Sequence, residues 1–317
     1  MATPSSSSSV SLGPWTRGFQ NFYDPTRAPA DTLAAATNVL IEADGTIASH
    51  TGLDFGDDIH SKFTHNGRFY GVFRDTISEF FEGRHISLNF PVKAGVKWTV
   101  LEDEPLFYNR QVIGKISLTD GVTGLGGAYN ASATPDAKAN EDSFVHPYRD
   151  AAFSTKQSMP GGTYVRYWRS RLLVANDNLL FVSDPFMYGV YDRMSGIVKL
   201  PAKIDFLEAV DGGVFVALRE LGVYFLAGTS PEDWQLKVAD IICAQPMTSL
   251  LIPTAGMKLD VQNRPEWVAV WLTSKGFAIG LPNGSVIYPQ ADLLSGLPLG
   301  SMGSLSFEGD RLIATTY

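Results

Sequence analysis

Apolar and polar positions along the chain fall into short runs rich in Val, Ile, Leu, Phe, Tyr and Trp, each broken after a few residues by Gly, Asn or Asp. Runs of this kind predict strands, and the polar dipeptides between them predict turns. Residues 38–42 and 46–50 flank Ala43-Asp44-Gly45, whose Asp-Gly pair favours the left-handed backbone of a tight hairpin. The texture then recurs as three-stranded meanders over 62–64, 68–74 and 77–81, over 98–102, 105–109 and 112–118, and over 164–168, 171–175 and 179–183. Two more follow, over 204–210, 213–218 and 222–227 and over 267–273, 276–280 and 285–288. The chain ends on a run, 304–317, folded about Glu308-Gly309-Asp310.

Only residues 30–38 carry a helix signal, with Asp31 placed to cap an alanine-rich turn. With no helix to cover a sheet face, meanders spaced about 35 to 60 residues apart predict small antiparallel sheets set radially, an all-β propeller of about six blades. The last run and the first hairpin are expected to share the sixth blade, so that N- and C-terminal strands close the ring and remove an exposed sheet edge. This reading divides the chain into an N-terminal arm with a short helix, residues 1–37, and a β-propeller domain, residues 38–317. Residues 122–162, poor in strand signals, read as an irregular insertion in that domain, and 254–265 as a shorter one.

Composition sharpens this picture in three ways. With 317 residues, 44% hydrophobic and 18% charged, the chain can bury one large core, and 30 glycines and 18 prolines suit many tight turns. A formal net charge of -8 argues against a nucleic-acid-binding surface, which needs clustered Lys and Arg, yet an acidic wall would let DNA pass without sticking. Cys243 is the only cysteine, so no intramolecular disulfide can form, and its setting beside Ile241 and Ile242 predicts a small buried thiol. No apolar run is long enough for a membrane span, and Ser5 to Ser9 stand where a secretory signal would need an apolar core, so no stable membrane insertion and a cytosol-like compartment are expected.

Candidate chemistry is sparse. Glu102-Asp103-Glu104 would alternate faces on a strand and reads as a solvated turn. The histidines, His50, His60, His65, His85 and His146, show no paired spacing of the kind that binds metal. Gly300-Ser301-Met302-Gly303-Ser304 has the wrong glycine spacing for a hydrolase serine, and the glycine-rich residues 121–127 lack the following Lys and Ser/Thr of a phosphate loop. Arg166, Trp168, Arg169 and Arg171 interleave charge with an aromatic ring, which fits either a base-stacking platform or a turn between two strands. No catalytic, cofactor-binding or metal residue is assigned, and the chain is expected not to be an enzyme.

Two stretches carry a resemblance. Gly13-Pro14-Trp15-Thr16-Arg17-Gly18-Phe19-Gln20-Asn21-Phe22-Tyr23-Asp24, followed by residues 31–38 and a hairpin ending at Gly52-Leu53, resembles the opening of a family of bacteriophage virion proteins in which a Trp-x-Arg-Gly arm and a short helix precede the first strand. Residues 171–185, 211–217 and 222–228 are similar to the middle of the same proteins, and the likeness extends to residues 271–280 and 309–315. The family is that of tail nozzle and tail stabilisation propeller proteins of short-tailed phages. The insertion at 122–162 has no counterpart in it.

The resemblance implies a virion structural protein, a nozzle or tail-hub ring around the DNA ejection channel, assembled in the host cytoplasm. Its implied partners are itself in a ring, a homo-hexamer first of all, together with portal-adaptor and tail or fibre proteins, with DNA only as passing cargo. Trp15, Arg17, Phe19, Phe22 and Tyr23 are the candidate interface residues, because aromatic rings and arginine make strong contacts; the same rings would equally serve to staple the arm onto its own propeller. Two other classes use this architecture: a glycan-binding or glycan-cleaving propeller, and a cellular protein-interaction propeller, although Trp-Asp and Gly-Gly signatures do not recur here at fixed register.

Overall fold

The computed structural model describes residues 39–41, 47–49, 59–66, 68–81, 84–117, 127–130, 155–254, 266–289, 297, 299–308 and 311–316. After a hairpin of β1 (Val39–Ile41) and β2 (Ile47–Ser49) come five antiparallel sheets in chain order. The first holds β3 (Ile59–His65), β4 (Arg68–Phe73), β5 (Thr76–Phe81) and β6 (Arg84–Pro91), and the second β7 (Lys97–Leu101), β8 (Glu104–Tyr108), β9 (Ile113–Ser117) and β10 (Gly127–Asn130). The third is built on β12 (Tyr164–Trp168), β13 (Arg171–Asn176), β14 (Leu179–Asp184) and β15 (Met187–Asp192), widened by β11 (Lys156–Ser158) and β16 (Ile197–Lys199). The fourth holds β17 (Ile204–Val210), β18 (Gly213–Leu218), β19 (Gly222–Ala227) and β20 (Gln235–Asp240), and the fifth β21 (Ala244–Pro253), β22 (Trp267–Thr273), β23 (Gly276–Gly280) and β24 (Val286–Ile287). A hairpin of β25 (Gly303–Glu308) and β26 (Arg311–Thr316) ends the series.

The first strands of successive sheets lie side by side: β7 against β12, β12 against β17, β17 against β21, and β21 against β25. Each apolar cluster therefore sits between neighbouring sheets. Tyr70, Val72, Ile77 and Leu88 of the first pack with Phe107 and Ile116 of the second, and Leu106, Tyr108 and Ile113 of the second pack with Val165, Leu172 and Tyr188 of the third. Leu173 and Val182, Phe206 and Phe215, and Ala269 and Trp271 join the third, fourth and fifth in one cluster, while Ile252 and Val270 of the fifth meet Leu305, Phe307 and Leu312 of the last hairpin. Sheets that succeed one another in sequence and touch face to face around their first strands are blades. The chain is a β-propeller.

Burial falls from the axis outward. All seven residues of β17 are buried, whereas Gln235 to Val238 of the outermost strand β20 are exposed. Middle strands such as β13, β14 and β15 bury their four central residues in a row, because a neighbouring blade covers each face; near-continuous apolar runs follow from that double coverage.

Several sequence expectations need correction. Every predicted meander gains a further strand: β6, β10 and β20 add outer edges, β15 adds an outer strand that β11 in turn covers, and in the fifth blade the added strand, β21, is the innermost one. β21 escaped notice because Pro246 and Met247, the latter at φ 67, bulge its first half between Ala244 and Ser249. The region 122–162 is not wholly irregular, since β10 pairs with β9 and β11 pairs with β15. Cys243 is exposed rather than buried, because the link from β20 to β21 turns the chain from rim to axis over the surface. The two terminal hairpins form separate two-stranded sheets among the described ladders, β1 with β2 and β25 with β26. Among the described residues no helix is long and apolar enough to cross a membrane.

Candidate functional site

The axis is where the blades converge, and a polar tie crosses four of them there. In β17, Glu208 stands in the apolar run Ile-Asp-Phe-Leu-Glu-Ala-Val and is 1% exposed. Arg166 of β12 meets it side-on, Nε to Oε2 at 2.9 Å and Nη2 to Oε1 at 2.6 Å. The guanidinium also donates through Nη1 to Tyr108 Oη of β8 at 3.2 Å and to the Val165 carbonyl at 2.8 Å, while Ser249 of β21 donates to Glu208 Oε1 at 2.9 Å. Burial opposes the charge on Arg166, yet Glu208 and Tyr108 together hold its pKa above the ordinary value. The tie thus satisfies both ions with hydrogen bonds from four successive blades, which is what makes a buried pair tolerable.

A second pair supports the first. A bulge at Asp205 in β17 turns its carboxylate to Arg219, with Nη2 to Oδ1 at 2.7 Å, and the Tyr164 hydroxyl donates to the Asp205 carbonyl. Lys97 of β7 has a different setting. Its Nζ donates to the Thr163 carbonyl at 3.1 Å and lies 4.4 Å from the centre of the Tyr164 ring. Burial, with the neighbouring Arg166 and Arg110, lowers its pKa to about 8.

Two hollows open on the axis. One, about 430 Å³, is lined by Phe63, Trp98, Val100, Tyr167, Leu251 and Trp267 beside the Arg166–Glu208 pair. Trp267 and Tyr167 are 43% and 36% exposed, and Phe63 stacks on Trp98 with centroids 5.4 Å apart. The other, about 660 Å³, lies among β3, β21 and β25 and is lined by Phe63, Phe69, Leu250, Ile252, Leu305 and Phe307, with Lys62 at its side. Phe63, Leu250 and Leu251 border both.

Of the motifs singled out in the sequence, Arg166, Trp168, Arg169 and Arg171 are not brought together. Arg166 is consumed by Glu208, Trp168 is buried and donates to the Val210 carbonyl at 3.1 Å, and Arg171 donates to the Ser183 carbonyl at 3.0 Å. Arg169 and Ser170, at φ 46 and 58, are the turn of the hairpin, with Arg169 donating to the Asp211 carbonyl at 2.8 Å. Arg166, Trp168 and Arg169 tie the third blade to the fourth and Arg171 ties two strands within the third, so they form structural links, not a stacking platform. Glu102 and Asp103 likewise form a turn, at φ 48 and 69. It is not free, since Tyr188 donates to Glu102 and the Asp103 carboxylate accepts from Asn66 at 3.1 Å. Among the described residues no group of three His, Cys, Asp or Glu side chains stands close enough to hold a metal. Trp15, Arg17, Phe19, Phe22 and Tyr23 lie outside the described residues. Sequence reading missed Glu208, although an acid in the middle of an apolar strand is itself a signal that a buried cation must lie across from it.

No family model matches the chain, and no curated protein matches it. Among solved structures it is similar to the extracellular domain of a putative one-component system from B. thetaiotaomicron, at 8% identity and TM-score 0.48, over 86% of this chain and 33% of that one. It is also similar to the N-terminal domain of Nup159, at 10% identity and TM-score 0.45, over 81% and 72% of the two chains. Sqt1 of Saccharomyces cerevisiae matches at 10% identity and TM-score 0.43, over 76% and 64%. The chain spans a third of the length of the first of these. Likenesses this loose carry no function across, and the fold rests on the sheet order itself.

Proposed function

We propose that the chain is a non-enzymatic structural propeller of a bacteriophage tail, a nozzle or tail-hub subunit that assembles with copies of itself around the DNA ejection channel. The family resemblance supplies the specific role, and the tie from Tyr108 through Arg166 and Glu208 to Ser249 is the observation that supports a scaffold. A polar link across four blades stiffens the wedge, and a stiff wedge is what a head-to-tail ring needs if its rotation is to close. The net charge of -8 suits a wall that DNA passes without binding. In this reading Trp15, Arg17, Phe19, Phe22 and Tyr23 contact a neighbouring copy, other contacts go to portal-adaptor and fibre proteins, and the protein resides in the virion tail.

Light scattering and negative-stain imaging of the purified protein, beside a form lacking residues 1–24, test the proposal. Closed rings that fall apart on removal of the arm are the expected result; a monomer that binds or cleaves a polysaccharide overturns it. That second outcome has its own support, because Trp267 and Tyr167 expose rings at the smaller hollow beside Trp98, where a sugar face could stack. Loss of glycan binding in Trp267→Ala would establish that alternative.

A further inference from the structure

The larger axial hollow is lined mainly by apolar side chains, with Lys62, Thr64 and Ser306 among them. Leu250 and Ile252 of β21, Leu305 and Phe307 of β25, and Phe63 and Phe69 of the first blade turn apolar groups toward about 660 Å³ of unfilled space. Phe63, Leu305 and Phe307 are only partly buried. Apolar walls around an open volume this large gain from any apolar side chain that enters.

The chain itself carries matching side chains. Trp15, Phe19, Phe22 and Tyr23 crowd into twelve positions, Gly13 to Asp24, far upstream of β3. Between Tyr23 and Val39, where β1 begins, the chain reaches about 50 Å if fully extended and about 35 Å if residues 30–38 take their expected helix. Either length is a large share of the width expected of a domain of this size, about 50 Å, and between copies that touch in a ring it suffices to reach the neighbour. An apolar segment that binds a pocket elsewhere on a second copy of the same molecule makes a head-to-tail contact, the kind that propagates from copy to copy and closes into a ring.

We propose that residues 13–24 of one copy dock in the hollow between β3, β21 and β25 of the next, with Phe19 and Phe22 against Phe63, Leu305 and Phe307. This rests on the reading of the protein as a self-assembling ring and names the surface that receives the arm. Aromatic anchors in a pocket are the usual carriers of binding energy, so the contact depends on few residues.

The lone native cysteine makes the test simple. In a Cys243→Ser background, one chain carries Phe19→Cys and a second carries Ser306→Cys, and the two are mixed and mildly oxidised. Disulfide-linked heterodimers are expected, since a bridge demands Cα atoms within about 7 Å. A single chain carrying both substitutions should then give a ladder of covalent oligomers on denaturing gels. If that chain yields only an internally bridged monomer, the arm docks in its own hollow and the proposal falls. It also falls if rings persist by light scattering with no bridge formed, an outcome that leaves the assembly reading intact. Monomers with no bridge overturn both. Phe307→Asp, checked for an unchanged β-sheet circular dichroism spectrum, should weaken self-association at least tenfold; unchanged association would equally overturn the docking site.

Discussion

At the scale of single residues, the molecule places its ions where they can be shared between blades. Glu208 is fully enclosed while Arg166 keeps about a fifth of its side chain exposed, so removing Glu208 leaves Arg166 without its counter-ion and with only the Tyr108 hydroxyl and the Val165 carbonyl. Glu208→Ala should cost about 3–5 kcal/mol in urea unfolding, and Arg166→Met combined with Glu208→Leu should recover most of it. Lys97 gives a pH signature. Its pKa falls from 10.5 to about 8 in the folded protein, so the unfolded chain holds the proton more tightly. The penalty is present in full below pH 8, shrinks as pH rises from 8 to 10.5, and is gone above that. The stability of the wild type relative to Lys97→Met should therefore rise by about 3 kcal/mol between pH 7 and 11, whatever offset the lost bond to Thr163 adds. A flat difference across that range would mean that Lys97 is as well solvated folded as unfolded. Glu208 and Lys97 are not singled out by the sequence and Arg166 stands out only beside Trp168, because a charge in an apolar strand shows that a partner is needed, not which of 25 Lys and Arg supplies it.

At the scale of elements, the middle strands were legible and the edges were not. The runs at 171–175, 179–183 and 213–218 announce β13, β14 and β18 because covered faces demand apolar residues at every position. Outer strands such as β20, Gln-Leu-Lys-Val-Ala-Asp, need only backbone pairing and half of that pattern, so nothing in their composition separates them from loops. Turns show the reverse difficulty. Arg74-Asp75, Glu102-Asp103 and Arg169-Ser170 all take left-handed backbone without glycine, at φ from 46 to 69, and lack the Asn-Gly or Asp-Gly pair that marks such hairpins. Each residue held there carries strain that glycine avoids. Ser170→Gly should raise stability by about 0.5–1 kcal/mol in thermal or urea unfolding, with the Arg169 bond to Asp211 retained.

At the scale of the whole molecule, blades meet closely enough that one methyl group matters. A Cβ at Gly212, in the turn between β17 and β18, would lie 1.8 Å from the Pro282 carbonyl of the fifth blade. Gly212→Ala should push the two blades apart and cost about 1–3 kcal/mol, read as a lower unfolding midpoint. The radial plan was legible from the recurrence of meanders, and the axial hollows were not, since no single blade encodes the space that several leave between them. The same plan sets an order in time. Each sheet is made of consecutive residues, so each can form as synthesis delivers it, but the four-blade tie draws on residues 108, 166, 208 and 249. On the ribosome Arg166 waits more than forty residues of elongation for its carboxylate. A chain stalled after the third blade would therefore hold a cation at its open face, exposed to whatever acidic surface arrives before Glu208 does.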